Sequence, residues 1–341
     1  MPSPIRPLAC AALVGLSALS NPATAAQAPE VAPIFEAPGV LTPKGQNILE
    51  PSVNFSYASS NRVALVGYTI IPALLIGLID VREVKRNTVT AALSWRRGIT
   101  NRFEVEAKVP AVYRSDSAIS RRIASSNDID EGLFNASGRG LGDVEVSGRY
   151  QLNQGVPDKP FYIASLRFKS RTGKDPFEVT TASAVPGGLT NQLQRTLPTG
   201  SGFYTWQPGL TVLIPTDPAV FFGGVSYQYN VKRKNLSLQT DTGVEPVGDI
   251  KPGGVLGFNF GMGLAINERS SFSLGYDHSS IARTEQNGQK VPESVRTQLG
   301  SLLLGYSHKV NQKTTVNVSV GVGVTRDSPD VSLTLRVPIS F

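Results

Sequence analysis

The chain has 341 residues, with 33 Lys+Arg against 26 Asp+Glu, a formal net charge of +7 and one cysteine. Charged residues are 17%, below the roughly 25% of soluble domains, and a mean hydropathy near zero is too polar for a bundle of membrane helices. A single thiol excludes a disulfide framework, and the absence of any basic run with interleaved aromatics argues against nucleic acid as a partner.

Residues 1–25 have the form of a secretory signal, with Arg6 as the positive n-region, Leu8 to Leu19 as the apolar run and Ala23-Thr24-Ala25 as the cleavage site. Cys10 leaves with it, so the mature chain has no thiol to mispair in an oxidising compartment. Residues 26–46 carry Pro29, Pro33, Pro38 and Pro43 and read as a flexible periplasmic leader. The remaining unit is 47–341.

The first strand candidate, Ile48 to Ala58, sets Val53, Phe55 and Tyr57 against Ser52, Asn54 and Ser56. Val63 to Ile79 then runs seventeen residues without a charge. It is shorter than the about 20 residues of a membrane helix and holds Gly67, Pro72 and Gly77, so it reads as the upper part of a hairpin or as an apolar loop. Val89, Ala91, Leu93 and Trp95 next alternate with Thr88, Thr90, Ser94 and Arg96. A turn at Thr100-Asn101 leads to Phe103, Val105, Ala107 and Val109, opposed by Arg102, Glu104, Glu106 and Lys108. Charges at every second position cannot face lipid, where each costs about 2–4 kcal/mol at the midplane.

Ser115 to Arg139 reads as a long polar connection. Val144, Val146 and Tyr150 follow against Asp143, Glu145, Arg149 and Gln151, and Tyr162, Ala164, Leu166 and Phe168 against Ser165, Arg167, Lys169 and Arg171. Long loops at Thr172–Ser201 and Lys232–Pro252 bracket a hairpin with Tyr204, Trp206, Leu210, Phe221, Val225, Tyr227 and Tyr229 outward. Leu256, Phe258 and Phe260, then Phe272, Leu274 and Tyr276, then Leu302, Leu304 and Tyr306 continue the pattern. The last hairpin alternates from Val316 to Val324 and again from Val331 to Phe341.

About twelve strands, joined by alternating short and long connections, predict an all-β fold: a transmembrane antiparallel β-barrel of the outer-membrane type. The expected location is the Gram-negative outer membrane, with both chain ends in the periplasm. Expected partners are outer-membrane lipids and lipopolysaccharide, the barrel-assembly machinery and a small-molecule solute. Outer-membrane proteins resemble this chain in ending on an apolar-face aromatic, which makes Phe341 a candidate assembly signal. Glu104, Glu106, Lys108, Asp143, Glu145, Arg149, Arg167, Lys169, Arg171 and Arg336 are the candidate lumen-lining charges. They either set a transverse field across a wide lumen or pair and fill a narrow one. Trp95, Trp206, Tyr150, Tyr204, Tyr227 and Tyr306 read as interfacial girdle residues.

Three pieces, Gly98-Ile99-Thr100-Asn101-Arg102-Phe103-Glu104-Val105 with Val109-Pro110, Gly140-Leu141-Gly142-Asp143-Val144, and Arg336-Val337-Pro338-Ile339-Ser340-Phe341, carry a resemblance. From about Gly39 onward the chain resembles a bacterial family of outer-membrane barrels named for the meta-pathway of phenol degradation and described as transporters. The resemblance implies passage of small, aromatic compounds and brings no catalytic residues. The reading is thus an outer-membrane channel for passive passage of small solutes, aromatic or hydrophobic ones included, without cofactor or metal. A non-conducting structural or surface-interaction barrel is one alternative. The other is a lipid hydrolase in which His278 takes the proton of Ser280 and Glu285 or Glu293 orients the ring.

Overall fold

The computed structural model describes residues 40–60, 79–125, 128–154, 159–179, 181–183, 192–194, 196–240, 243–291 and 294–341. The expected signal, the leader as far as 39 and residues 63–78 of the uncharged stretch lie outside them.

Period-two alternation builds one continuous wall of twelve strands. They are β1 (Asn47–Ser60), β2 (Ile79–Thr100), β3 (Phe103–Ser125), β4 (Asp128–Leu141 and, after a break, Glu145–Gln151), β5 (Phe161–Lys169) and β6 (Thr205–Pro215). The rest are β7 (Ala219–Asn230), β8 (Val255–Asn267), β9 (Ser270–Ile281), β10 (Thr297–Lys309), β11 (Thr315–Gly323) and β12 (Val331–Arg336, continued by Ile339–Ser340). Each pairs antiparallel with its chain neighbour. β12 returns to β1, with Arg336 opposite Ser52 and Val331 opposite Tyr57. Asn47 and Phe341 complete the seam with reciprocal backbone hydrogen bonds of 3.0 and 2.9 Å. Closure leaves no open edge, the condition for a sheet to sit in hydrocarbon.

The outward face is apolar around the ring: Val53, Leu93, Val109, Val146, Leu166, Leu210, Val225, Phe258, Leu274, Leu304 and Leu333 are all exposed. Water would not tolerate so continuous a belt, whereas lipid requires it. Two aromatic girdles bound it. Trp95, Tyr150 and Tyr306 stand near the short-turn end, and Tyr204, Trp206, Tyr227 and Tyr229 near the long-loop end. Trp206 packs at a tilt against Phe168 with centroids 4.7 Å apart, fixing an amphipathic ring at the height where membrane meets water.

Two expectations about connections change. Ser115 to Arg139 is not a loop: β3 runs on to Ser125 and pairs with β4 from Ser115↔Ser137 to Ser125↔Asp128. Backbone pairing alone carries the ladder on past the alternating stretch. Lys232 to Pro252 is likewise mostly a hairpin, Arg233–Thr240 against Gly243–Lys251. Leu236, Leu238, Val247 and Ile250 of this hairpin bury a small core with Phe177 and Phe203, so the long-loop end carries its own packed cap.

Candidate functional site

The inward face of β2, β3 and β4 collects charge by register. Arg96 on β2 is opposite Glu106 on β3, and Arg149 on β4 is opposite Glu104. The side chains interlock: Arg149 Nε lies 3.0 Å from Glu104 Oε1, Arg96 Nε 3.2 Å from Glu106 Oε2, and Arg149 also binds Glu106. Glu104 is fully buried and Arg96 nearly so. On the seam, Arg336 Nε donates to Glu50 Oε1 at 2.6 Å, both buried.

Nearer the long-loop end, Arg167 Nη1 pairs with Glu145 Oε2 at 3.2 Å and also donates to Gln207. Lys108 is opposite Glu145 in register, and Lys169 Nζ is 3.9 Å from Asp143. Acidic and basic groups are therefore interleaved and paired along one wall rather than set in facing rows. Asp143 is chiefly an anchor. It accepts hydrogen bonds from Ser201 N at 2.7 Å, Ser201 Oγ at 2.6 Å and Gly173 N at 3.1 Å. This ties the long 170–204 connection to the inner surface, where buried Arg114 donates to Pro198 O at 2.6 Å.

Arg171 is a correction. β5 ends at Lys169, and the period-two rule ends with it. Arg171 is exposed, with its guanidinium 4.7 Å over the ring of outward-facing Tyr204, so it decorates the girdle and not the lumen.

An apolar patch also lies on the inward face, among buried polar residues such as Gln207, Thr211, Ser226 and Ser301. Ile163 on β5, Leu213 on β6, Val220 and Phe222 on β7 and Leu303 on β10 are buried on the inward side and form one cluster. Gly261 leaves room for this packing, since a Cβ there would meet the Phe222 ring at 2.5 Å. The cluster is completed by Val40 and Leu41, each 5% exposed. The end of the leader is thus neither free nor outside the barrel. Thr42 N donates to Glu104 Oε2 at 2.7 Å across the lumen. The chain then leaves along β2, with Gly45 N on Gly98 O at 2.8 Å and Gly98 N on Gln46 O at 3.1 Å. Only glycine permits this approach at 98, since a Cβ would lie 2.1 Å from Pro43 O. Residues 40–42 therefore run at the short-turn end from the apolar patch to the charged cluster.

The hydrolase geometry is not formed. His278 Nε2 bonds Gln298 Oε1 at 2.9 Å, and its Nδ1 meets Tyr276 Oη at 3.0 Å. Gln298 Nε2 in turn donates to Ser280 Oγ at 2.9 Å. Gln298 stands between the residues that would have to share a proton, and Glu285 faces Lys251 at 3.7 Å. Glu293 lies outside the described residues.

No family model matches the chain. Among solved structures, the chain is similar to an outer membrane channel from Pseudomonas putida F1, with a TM-score of 0.57, 13% identity and coverage of 88% of this chain and 97% of that one. The translocator domain of autotransporter NalP from Neisseria meningitidis aligns at 0.49, with 8% identity over 88% of this chain and 89% of that one. The Ralstonia pickettii toluene transporter TbuX aligns at 0.41, with 9% identity over 89% of this chain and 91% of that one. The first likeness and the closed wall agree on the fold, a twelve-stranded barrel of the outer-membrane type.

Proposed function

We propose that the protein sits in the Gram-negative outer membrane and lets small solutes pass through its lumen, the hydrophobic or aromatic part of the solute resting on the apolar patch. One observation carries this reading. Barrel interiors are ordinarily polar, yet Ile163, Leu213, Val220, Phe222 and Leu303 turn inward and are held dry by two residues of the chain's own leader. An apolar surface that a short, displaceable segment covers is a surface that an apolar solute can compete for. The paired charges of the lumen leave little net field, which suits uncharged cargo. The family resemblance of the 98–110, 140–144 and 336–341 pieces supports the same solute class, and the likeness of the fold to an outer membrane channel supports passage through the lumen.

Liposome swelling with purified protein tests the reading. Phenol-sized aromatic solutes are expected to enter faster than sugars of similar mass. If neither kind enters, and planar bilayers record no conductance for the native chain or for variants altered at Leu41, the barrel is a closed structural one.

Assembly belongs to the same reading. Phe341 is well exposed on the outward face and bonded through its backbone to Asn47, so its ring is free for a receptor in the assembly machinery. Deleting it is expected to cut the heat-modifiable barrel recovered in the outer-membrane fraction by more than half. A normal yield would remove Phe341 as a signal.

A further inference from the structure

At the long-loop end, outside the lumen, the β7–β8 and β9–β10 connections enclose a recess of about 400 Å³ beside Tyr227 and Tyr229. Four cations line it, Lys251, Arg283, Lys290 and Arg296, against one carboxylate, Glu285. Glu285 is 3.7 Å from Lys251. Arg283, Lys290 and Arg296 are exposed and have no ion-pair partner among the described residues. Cations gathered in a concave place focus field and concentrate anions there. Guanidinium groups match phosphate oxygens in a fork, with lysine adding a point charge.

The recess is built into the backbone. Its floor is Gly253-Gly254, where a Cβ on Gly254 would lie 2.4 Å from Tyr227 Oη and one on Gly253 would lie 1.9 Å from Ala282 O. Asn230 Nδ2 holds Gly253 O at 2.8 Å, and Ala282 N holds Gly254 O at 2.9 Å. The bases of the two connections are therefore laced together before any ligand arrives, and a preformed site loses little entropy on binding. Its height is equally specific. Tyr227 and Tyr229 are 49% and 46% exposed on the outward face of β7, in its last turns before the loop, where girdle aromatics mark the headgroup level. Lys251 Nζ stands 6.0 Å from the Tyr229 ring centroid. The volume is several times that of a phosphate ion and lies in the about 300–1,000 Å³ range of small-molecule sites.

We infer that this recess binds the phosphorylated sugar headgroup of an outer-leaflet glycolipid, with Arg283, Lys290 and Arg296 on the phosphate and the tyrosines against the sugar. The inference rests on the proposed membrane placement, with the loop end outward, but not on conduction.

The test uses the full-length barrel, stripped of native lipid and placed in nanodiscs of zwitterionic phospholipid. A bisphosphorylated diglucosamine lipid, its dephosphorylated form and inorganic phosphate are the three probes, with bound lipid counted by native mass spectrometry. The triple variant Arg283→Ser, Lys290→Ser, Arg296→Ser is expected to bind the phosphorylated lipid at least tenfold more weakly. Lys313→Ser, an exposed cation at the opposite end, should leave binding unchanged, and the dephosphorylated lipid should bind the native chain no better than the phosphorylated lipid binds the triple variant. Equal binding of the phosphorylated lipid by native and triple-variant barrels overturns the site. Displacement by inorganic phosphate at equal concentration overturns the lipid assignment in favour of free phosphate. A barrel that fails to float with membranes would instead overturn the placement, while loss of conduction alone leaves this inference standing.

Discussion

Leu41→Asp is expected to raise the single-channel conductance several-fold while leaving the barrel folded. Leu41 and Val40 are each 5% exposed in the cluster with Phe222 and Leu303. Burying an aliphatic side chain contributes about 1.5–3 kcal/mol, so the pair contributes roughly 3–6 kcal/mol, and ordering the three residues 40–42 at about 1–2 kcal/mol each offsets much of it. The segment is therefore held by a narrow margin that one substitution can reverse. A carboxylate at 41 has no cation to meet on the apolar patch, and its desolvation exceeds what Val40 and the Thr42 hydrogen bond supply. Leu41→Met, similar in volume, should be nearly silent. Conductance unchanged in a folded Leu41→Asp barrel would mean that residues 40–42 do not limit passage.

Glu104→Ala should be the most destabilising single change in the lumen, at about 3–5 kcal/mol. It removes a fully buried carboxylate that neutralises Arg149 at 3.0 Å, lies 4.0 Å from Arg96 and accepts the Thr42 amide. What remains is two guanidinium groups sharing Glu106 in a site that water barely enters. The midpoint of heat- or urea-induced unfolding on a gel reads the effect. Replacing both partners with apolar residues, Glu104→Leu with Arg149→Met, is expected to cost less than the sum of the single changes by about 1–3 kcal/mol. Strict additivity would show that the two charges do not act on each other. Conductance should rise as well, because Thr42 loses its acceptor.

These two positions differ in how far the amino-acid sequence announces them. The alternation of Phe103, Val105 and Ala107 with Glu104, Glu106 and Lys108 places the acidic residues inward, because lipid will not take a charge at every second position. The same rule makes the whole wall and its twelve crossings legible. Arg96 and Glu50 follow it too, but Glu50 is the lone charge of its strand and Arg96 stands beside Arg97, so that neither shows a run of charges at every second position, and their partners Glu106 and Arg336 come from other strands. The apolar inner patch left a fainter mark. Val212-Leu213-Ile214, Val220-Phe221-Phe222 and Leu302-Leu303-Leu304 are runs in which an inward apolar residue sits beside outward ones, so the pattern blurs instead of alternating. Nothing local announces that Thr42 returns to Glu104, 62 residues away. That contact exists only once the ring is closed, and a proline-rich leader looks the same whether it trails in water or threads a lumen.

The crossing segment also has a mechanical meaning. Residues 40–42 join the cluster of β5, β6, β7 and β10 to Glu104 on β3, and 45–46 are laced to β2. A thin cylinder resists stretching along its hydrogen-bonded hoop but ovalises easily, and a bar fixed to both sides of the bore opposes that distortion. This segment therefore stiffens the cross-section as well as narrowing it. Any solute that lifts Val40 and Leu41 from their seat makes the barrel rounder to pass through and softer to squeeze in the same event.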